Sequence, residues 1–158
     1  MSVKKSIPSS ERIELERFLP YRLNVVAEAV SRSLSRIYAK QYGISVPEWR
    51  VIATLGQYTR MTAKEIGAHS RMHKTKVSRA AAQLAARGLL SRQPNDQDKR
   101  EAYLTLTENG EAVYREIVPH ALAFAESIFE GVSGEERALL EELLARLERR
   151  ARDLSAQN

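Results

Sequence analysis

Apolar positions recur along this chain at two spacings, and each spacing predicts a different element. Leu23, Val26, Val30, Leu34, Ile37 and Tyr38 lie three or four residues apart, the mark of a helix with one apolar stripe. Gly43 should end that helix, because a left-handed cap costs glycine little. Helical character is expected from Glu11 onward, with Leu15, Phe18 and Leu19 ahead of Pro20, which either opens the main helix or kinks it. Residues 1–10 are polar and predict a disordered tail. Ser45-Val-Pro-Glu48 reads as a capping box that opens a short helix with Trp49, Ile52, Ala53 and Leu55 inward. Thr62-Ala-Lys-Glu65 is a second capping box, with Ile66 facing the core. Ser70-Arg71-Met72 leaves room only for a turn before a helix from about His73 to Arg87, stopped by Gly88. Residues 89–93 and 100–106 partly alternate and flank Pro94-Asn-Asp-Gln-Asp98, which predicts a β-hairpin with a charged tip. Thr107 caps a helix beginning at Glu108 that carries Val113, Ile117, Leu122, Phe124 and Ile128, and Pro119 should bend it. Ser133-Gly-Glu-Glu136 opens a last helix, with Leu139, Leu140, Leu143, Leu144, Leu147 and Leu154 along one side. The fold class is mainly α with a small β-hairpin.

The helix from His73 places Val77, Ala81 and Leu84 on one side at 100° per residue, bordered by Ala80. The opposite side shows Thr75, Ser78, Arg79, Ala82 and Ala86, with Lys76 and Gln83 at one edge. Small residues let such a helix approach a major groove, threonine can touch a thymine methyl, and arginine can bind guanine through two bonds. His73 and Lys74 stand at the helix entrance, where free amides favour phosphate. Two helices, a three-residue turn and a polar outer face on the second make a helix-turn-helix.

Charge sharpens this reading. Residues 62–100 hold nine lysines and arginines against three acids, a net +6, so the +5 of the whole chain leaves −1 elsewhere. Such a block is the footprint of a phosphate-binding surface, although a basic face that only keeps the protein soluble has the same signature. The 158 residues suffice for one domain with its own core. With no cysteine, disulfides, thiolate metal sites and thiol sensing are excluded. His69, His73 and His120 lack metal-site spacing, and no acid pair, activated nucleophile or glycine-rich phosphate loop emerges, so neither enzyme nor metal nor cofactor is expected. No apolar run reaches membrane-spanning length and no secretory signal is visible, which points to the cytoplasm.

The hairpin tip carries Gln97, Lys99 and Arg100 beside Asp96 and Asp98. A cation on a narrow protrusion suits the minor groove, and Asp98 is placed to orient the Arg100 guanidinium; the plain alternative is a solvated turn. The run Asp98-Lys-Arg100-Glu-Ala-Tyr-Leu104-Thr-Leu106-Thr107-Glu-Asn-Gly110 resembles the wing signature of the MarR family of winged helix-turn-helix regulators. That signature is Asp-x-Arg, then Leu-x-Leu-Thr, then x-x-Gly. The stretch Leu84-Ala-Ala-Arg87-Gly88-Leu89-Leu90-Ser-Arg92 is similar to that family's exit from the recognition helix into the wing.

The resemblance implies a single domain over residues 11–158, with a DNA-binding lobe about 45–107. Intertwined dimerisation helices would occupy about 11–43 and 108–155. It implies a homodimer joined through Leu139, Leu143, Leu144 and Leu147, a palindromic operator in double-stranded DNA, and Arg100 in the minor groove. Most members are repressors released by a small, often aromatic or anionic, effector. Here Tyr21, Arg22, Tyr38, Tyr42, Trp49 and His69 are the candidates to line such a site, with Arg22 or Arg50 facing a carboxylate. Trp49 as plain core and His69 as a helix cap are the simpler assignments. A winged-helix module that binds protein, or an architectural DNA binder without sequence preference, is the alternative function.

Overall fold

The computed structural model describes residues 12–157; the tail expected over residues 1–10 lies outside them. The main helix, α1 (Leu19–Tyr42), carries Pro20 in its first turn, where proline is tolerated, and not at an internal kink. The expected helix from Glu11 is not present over the described residues ahead of α1, where the chain makes a turn, with Arg17 N–H donating to Glu14 O at 3.0 Å. Gly43 ends α1 in the left-handed conformation, φ 60°, as glycine does readily. Helix α2 (Val46–Tyr58) and helix α3 (Ala63–Ser70) both begin with complete capping boxes. In the first, Ser45 N–H donates to Glu48 Oε2 at 2.8 Å; in the second, Thr62 N–H donates to Glu65 Oε2 at 2.7 Å. Each cap contributes about 1 kcal/mol, so these boundaries are well specified. Helix α4 (Lys74–Ala86) follows the turn at Arg71, itself left-handed at φ 56°.

The hairpin is larger than expected. Strand β1 (Arg60–Thr62) joins β2 (Leu90–Pro94) and β3 (Ala102–Leu106) in an antiparallel sheet ordered β1-β3-β2. Three residues are too few to show alternation, which is why β1 escapes the sequence pattern. Pairing sets Met61 opposite Leu104 and Arg92 opposite Leu104 on the other side. Leu90 and Leu104 are thereby turned inward and buried. They meet Val51, Ile52 and Leu55 of α2, Ile66 of α3, and Val77, Ala81 and Leu84 of α4 in one core. Helix α5 (Glu108–Ser127) contains Pro119 in its interior, and Ile117 is buried.

Thr107 and Gly110 explain the end of the wing motif. Thr107 Oγ1 donates to Gly88 O at 2.6 Å and accepts from Gly110 N–H at 3.1 Å. Thr107 N–H donates to Leu89 O at 3.1 Å. The first turn of α5 is thus laid directly on the chain leaving α4. A Cβ on residue 110 would stand 2.0 Å from Leu89 O, a backbone atom that cannot swing away. Gly56 plays a similar part in α2, where a Cβ would strike the Tyr114 ring at 2.5 Å.

The chain divides into two compact units at Val118/Pro119. In the second unit, helix α6 (Gly134–Ala156) opens with the third capping box, Ser133 N–H donating to Glu136 Oε2 at 2.8 Å. Arg137 binds both oxygens of Glu126 at 2.9 and 3.0 Å, and this pairing holds the Glu126 carboxyl below the usual carboxylate range. No residue of α6 is buried, and Leu139, Leu140, Leu143, Leu144, Leu147 and Leu154 are 41 to 56 % exposed.

Gly110→Ala should destabilise the fold by about 1 to 3 kcal/mol or more through overpacking against Leu89. Urea unfolding would show this as a lowered midpoint at unchanged slope; a midpoint equal to the parent's would mean that the crossing is looser than described.

Candidate nucleic-acid interface

Helix α4 has two unlike sides. Val77, Ala81 and Leu84 are 0 to 1 % exposed and Ala80 is 2 % exposed. Thr75, Lys76, Arg79, Ala82, Gln83 and Ala86 are exposed and Ser78 is half-buried. This is the division the helical wheel requires. The helix starts one residue later than the pattern suggests, because His73 is its N-cap: Nδ1 accepts from Thr75 N–H at 3.4 Å. The far end is anchored through Arg87. Its guanidinium donates to Gly43 O at 3.1 Å and to Tyr42 O at 2.5 Å, and lies 3.9 Å from the Glu48 carboxylate. These carbonyls belong to the C-terminus of α1, the negative end of that helix's dipole.

The wing tip over residues 95–101 is organised by a residue that sequence reasoning passed over. Asn95 is 7 % exposed, and its Oδ1 accepts from Gln97 N–H at 3.0 Å and from Asp98 N–H at 3.2 Å. An asparagine that caps backbone two and three residues on is an Asx turn, and its place after Pro94 was the available signal. Asp98 Oδ1 accepts from the Arg100 backbone N–H at 3.0 Å. It therefore shapes the loop, in place of the expected bond to the Arg100 guanidinium; two residues in a tight turn bring the amide nearer than the side-chain end. Gln97, Lys99 and Arg100 are all exposed. Lys74 Nζ donates to Glu101 Oε1 at 2.8 Å, joining the first turn of α4 to the base of the wing. On the outer face of the sheet, the Arg60 guanidinium lies 4.3 Å from the centre of the Tyr103 ring.

The candidate effector residues do not form one cluster in the protomer. Tyr38 is 1 % exposed and stacks on Trp49 at 5.3 Å, and Trp49 stacks on Tyr114 at 6.4 Å. Burial raises the Tyr38 hydroxyl above its ordinary value, partly offset by Arg50. Tyr42 donates its hydroxyl to Glu116 Oε2 at 2.9 Å, which raises its pKa as well. His69 Nε2 pairs with Tyr58 Oη at 3.0 Å. Tyr21 and Arg22 are exposed near the start of α1, roughly 25 Å along the helix axis from Tyr38.

A family model described as "MarR family" matches residues 42–101. An "uncharacterized HTH-type transcriptional regulator" of Bacillus cereus is 28% identical over 118 residues, spanning 74% of this chain and 78% of that protein. A crystal structure of a MarR-family transcriptional regulator from Silicibacter pomeroyi matches at a TM-score of 0.73 and 28% identity, covering 84% of this chain and 89% of that one. These likenesses support a DNA-binding transcriptional regulator of the MarR type, with residues 42–101 as the matched MarR segment; the relatives and structural neighbours are regulators and not enzymes. NadR, solved in complex with 4-hydroxyphenylacetate, shares the fold at a TM-score of 0.71 and 24% identity, covering 90% of this chain and 97% of that one. The segment matched by the MarR model runs from the Arg87 anchor on α1 to the acid at the base of the wing.

Asn95→Ala removes the acceptor that closes the wing tip, leaving two amides to solvent. Amide exchange at Gln97 and Asp98 should rise at least tenfold while exchange in α4 stays unchanged, about 1 to 2 kcal/mol of local opening. Unaltered exchange at both amides would show that the turn closes without the side chain.

Proposed function

We propose that this chain is a homodimeric, sequence-specific repressor of the MarR type that binds a palindromic operator and is released by a small aromatic or anionic ligand. The observation that carries the DNA reading is the split of α4. A side at 0 to 1 % exposure fixes the helix, and Thr75, Lys76, Arg79 and Gln83 stand free opposite it. Arg79 reads a base edge, Lys76 and His73 serve the flanking phosphates, and Arg100 with Lys99 and Gln97 enters the adjacent minor groove.

Support for the dimer comes from uncovered apolar surface. Six leucines of α6 are about half exposed, and so are Leu19, Tyr21, Leu23, Val25 and Val26 of α1. Soluble monomers seldom leave contiguous patches of that kind bare. A second copy is the simplest cover, with Leu139, Leu143, Leu144 and Leu147 at the contact. A palindrome is then the natural target, since protein symmetry is mirrored in the site.

The effector reading is supported by a cleft of about 430 Å³ lined by Glu28, Ser31, Arg32, Val46 and Arg50 between α1 and α2. That volume suits a small organic molecule; Arg32 is paired with Glu28, which leaves Arg50 to meet a carboxylate. NadR, which has this fold, holds a hydroxylated aromatic acid. Among the described residues no helix is long and apolar enough to cross a membrane, and we place the protein with its DNA in the cytoplasm.

Selection of duplexes from a random pool tests the reading. The parent should enrich an inverted repeat, and Arg79→Ala should lose preference at particular base pairs by about 1 to 3 kcal/mol each. An architectural binder would enrich nothing. In sedimentation, replacing Leu143 and Leu147 by glutamate should convert a dimer to monomer and abolish operator binding at nanomolar protein; a dimer that survives both changes would remove α6 from the interface. A panel of aromatic carboxylic acids should include at least one that releases the selected duplex, and Arg50→Ala should blunt that release.

A further inference from the structure

Between the recognition helix and the wing lies a cleft of about 130 Å³, lined among others by Lys74, Ser78, Arg92, Arg100 and Glu101. The strand register explains why Arg92 faces it. Arg92 is directly opposite Leu104, and opposed residues in an antiparallel pair share a face of the sheet. Leu104 points inward and is buried, so Arg92 projects on the side of the sheet that carries α4. Lys74, Arg92 and Arg100 thus line one cleft together with the Glu101 carboxylate, which Lys74 contacts. Glu101 is 17 % exposed and its Oε1 is 2.8 Å from Lys74 Nζ. The volume is well under the roughly 300 to 1,000 Å³ of sites for drug-sized molecules, and it matches a single compact anion.

We propose that this cleft seats one backbone phosphate of the duplex, held by Lys74, Arg92 and the Ser78 hydroxyl. Glu101 fills the seat in the free protein as a built-in counter-anion that the phosphate displaces. The inference rests on the DNA reading above and adds to it a phosphate ligand, Arg92, and a competitor, Glu101. A carboxylate and a phosphate present the same acceptor chemistry to an ammonium group, so Lys74 cannot serve both fully. Once a phosphate is in place, Glu101 is a like charge beside it and opposes binding. The opposition is independent of base sequence, because backbone contacts carry none. Glu101 therefore lowers affinity for every duplex and leaves discrimination alone.

The experiment uses the full chain, the inverted repeat selected by the parent, and copies of it with single phosphates replaced by uncharged methylphosphonate. R92A should weaken binding roughly three- to tenfold and lower the salt slope by about one, with base preference unchanged. One methylphosphonate position per half-site should cost the parent a similar factor and cost R92A nothing more. R92Q, which keeps much of the stem, should behave as R92A does. E101Q should tighten binding by a comparable factor on the selected and on random duplexes alike. The proposal is overturned if methylphosphonate penalties are the same in parent and R92A at every position, or if E101Q leaves affinity unchanged or weakens it. Failure of the parent to select any sequence would count against the operator reading alone. Selection that succeeds without coupling between Arg92 and a phosphate would count against the seat alone.

Discussion

A helix can offer one side to a groove only if the other side is held firmly enough to stop it rolling. In this chain that hold is the burial of Val77, Ala81 and Leu84 against α2, α3 and the sheet, at 0 to 1 % exposure. Each large aliphatic side chain so buried contributes about 1.5 to 3 kcal/mol, far more than any single surface contact of α4. The alanines matter for a different reason. Ala80 and Ala81 let the helix sit close to its neighbours, and Ala82 and Ala86 keep its outer surface low. Every proposed contact with DNA depends on this arrangement, because it decides which residues remain outside.

The wing depends on the same hold by way of backbone geometry. Thr107 and Gly110 lay the start of α5 on the strand that leaves the recognition helix, and β3 is then central in the sheet. Asn95 closes the tip. Arg87 ties the end of α4 to the last carbonyls of α1. Recognition helix, wing and the C-terminus of α1 are thus joined by short polar contacts, so a displacement of α1 has a direct route to α4. That is the coupling a ligand-released regulator requires, because a ligand shifts DNA affinity only through a contact that differs between two states.

Much of this was legible in the chain. Three capping boxes, the stop at Gly43 and the polar side of α4 were readable because caps and helical periodicity are local signals. The leucines of α6 were readable as a stripe, and the structure shows them uncovered. Other features were not. Strand β1 is three residues long, and only its pairing with β3 makes it a strand. Asp98 was assigned to a guanidinium, but turn geometry gave it the nearer amide. Trp49 could be read as core or as a wall of a ligand site; what the sequence did not show is its stacking between Tyr38 and Tyr114, partners 11 and 65 positions away. Arg92 was counted in a charged block and at the exit into the wing, with no facing assigned, since that is set by strand register, which periodicity over five residues does not fix.

The central claim is that paired α4 helices enter successive major grooves while the wings reach the minor groove between and beyond them. Chemical footprinting on the selected duplex tests it directly. The account predicts that guanine N7, which lies in the major groove, is protected from methylation in two patches about 10 to 10.5 base pairs apart, centre to centre, with shielded adenine N3 positions in the minor groove alongside. Protection of a single patch, or of the minor groove with guanine N7 fully reactive, would contradict it.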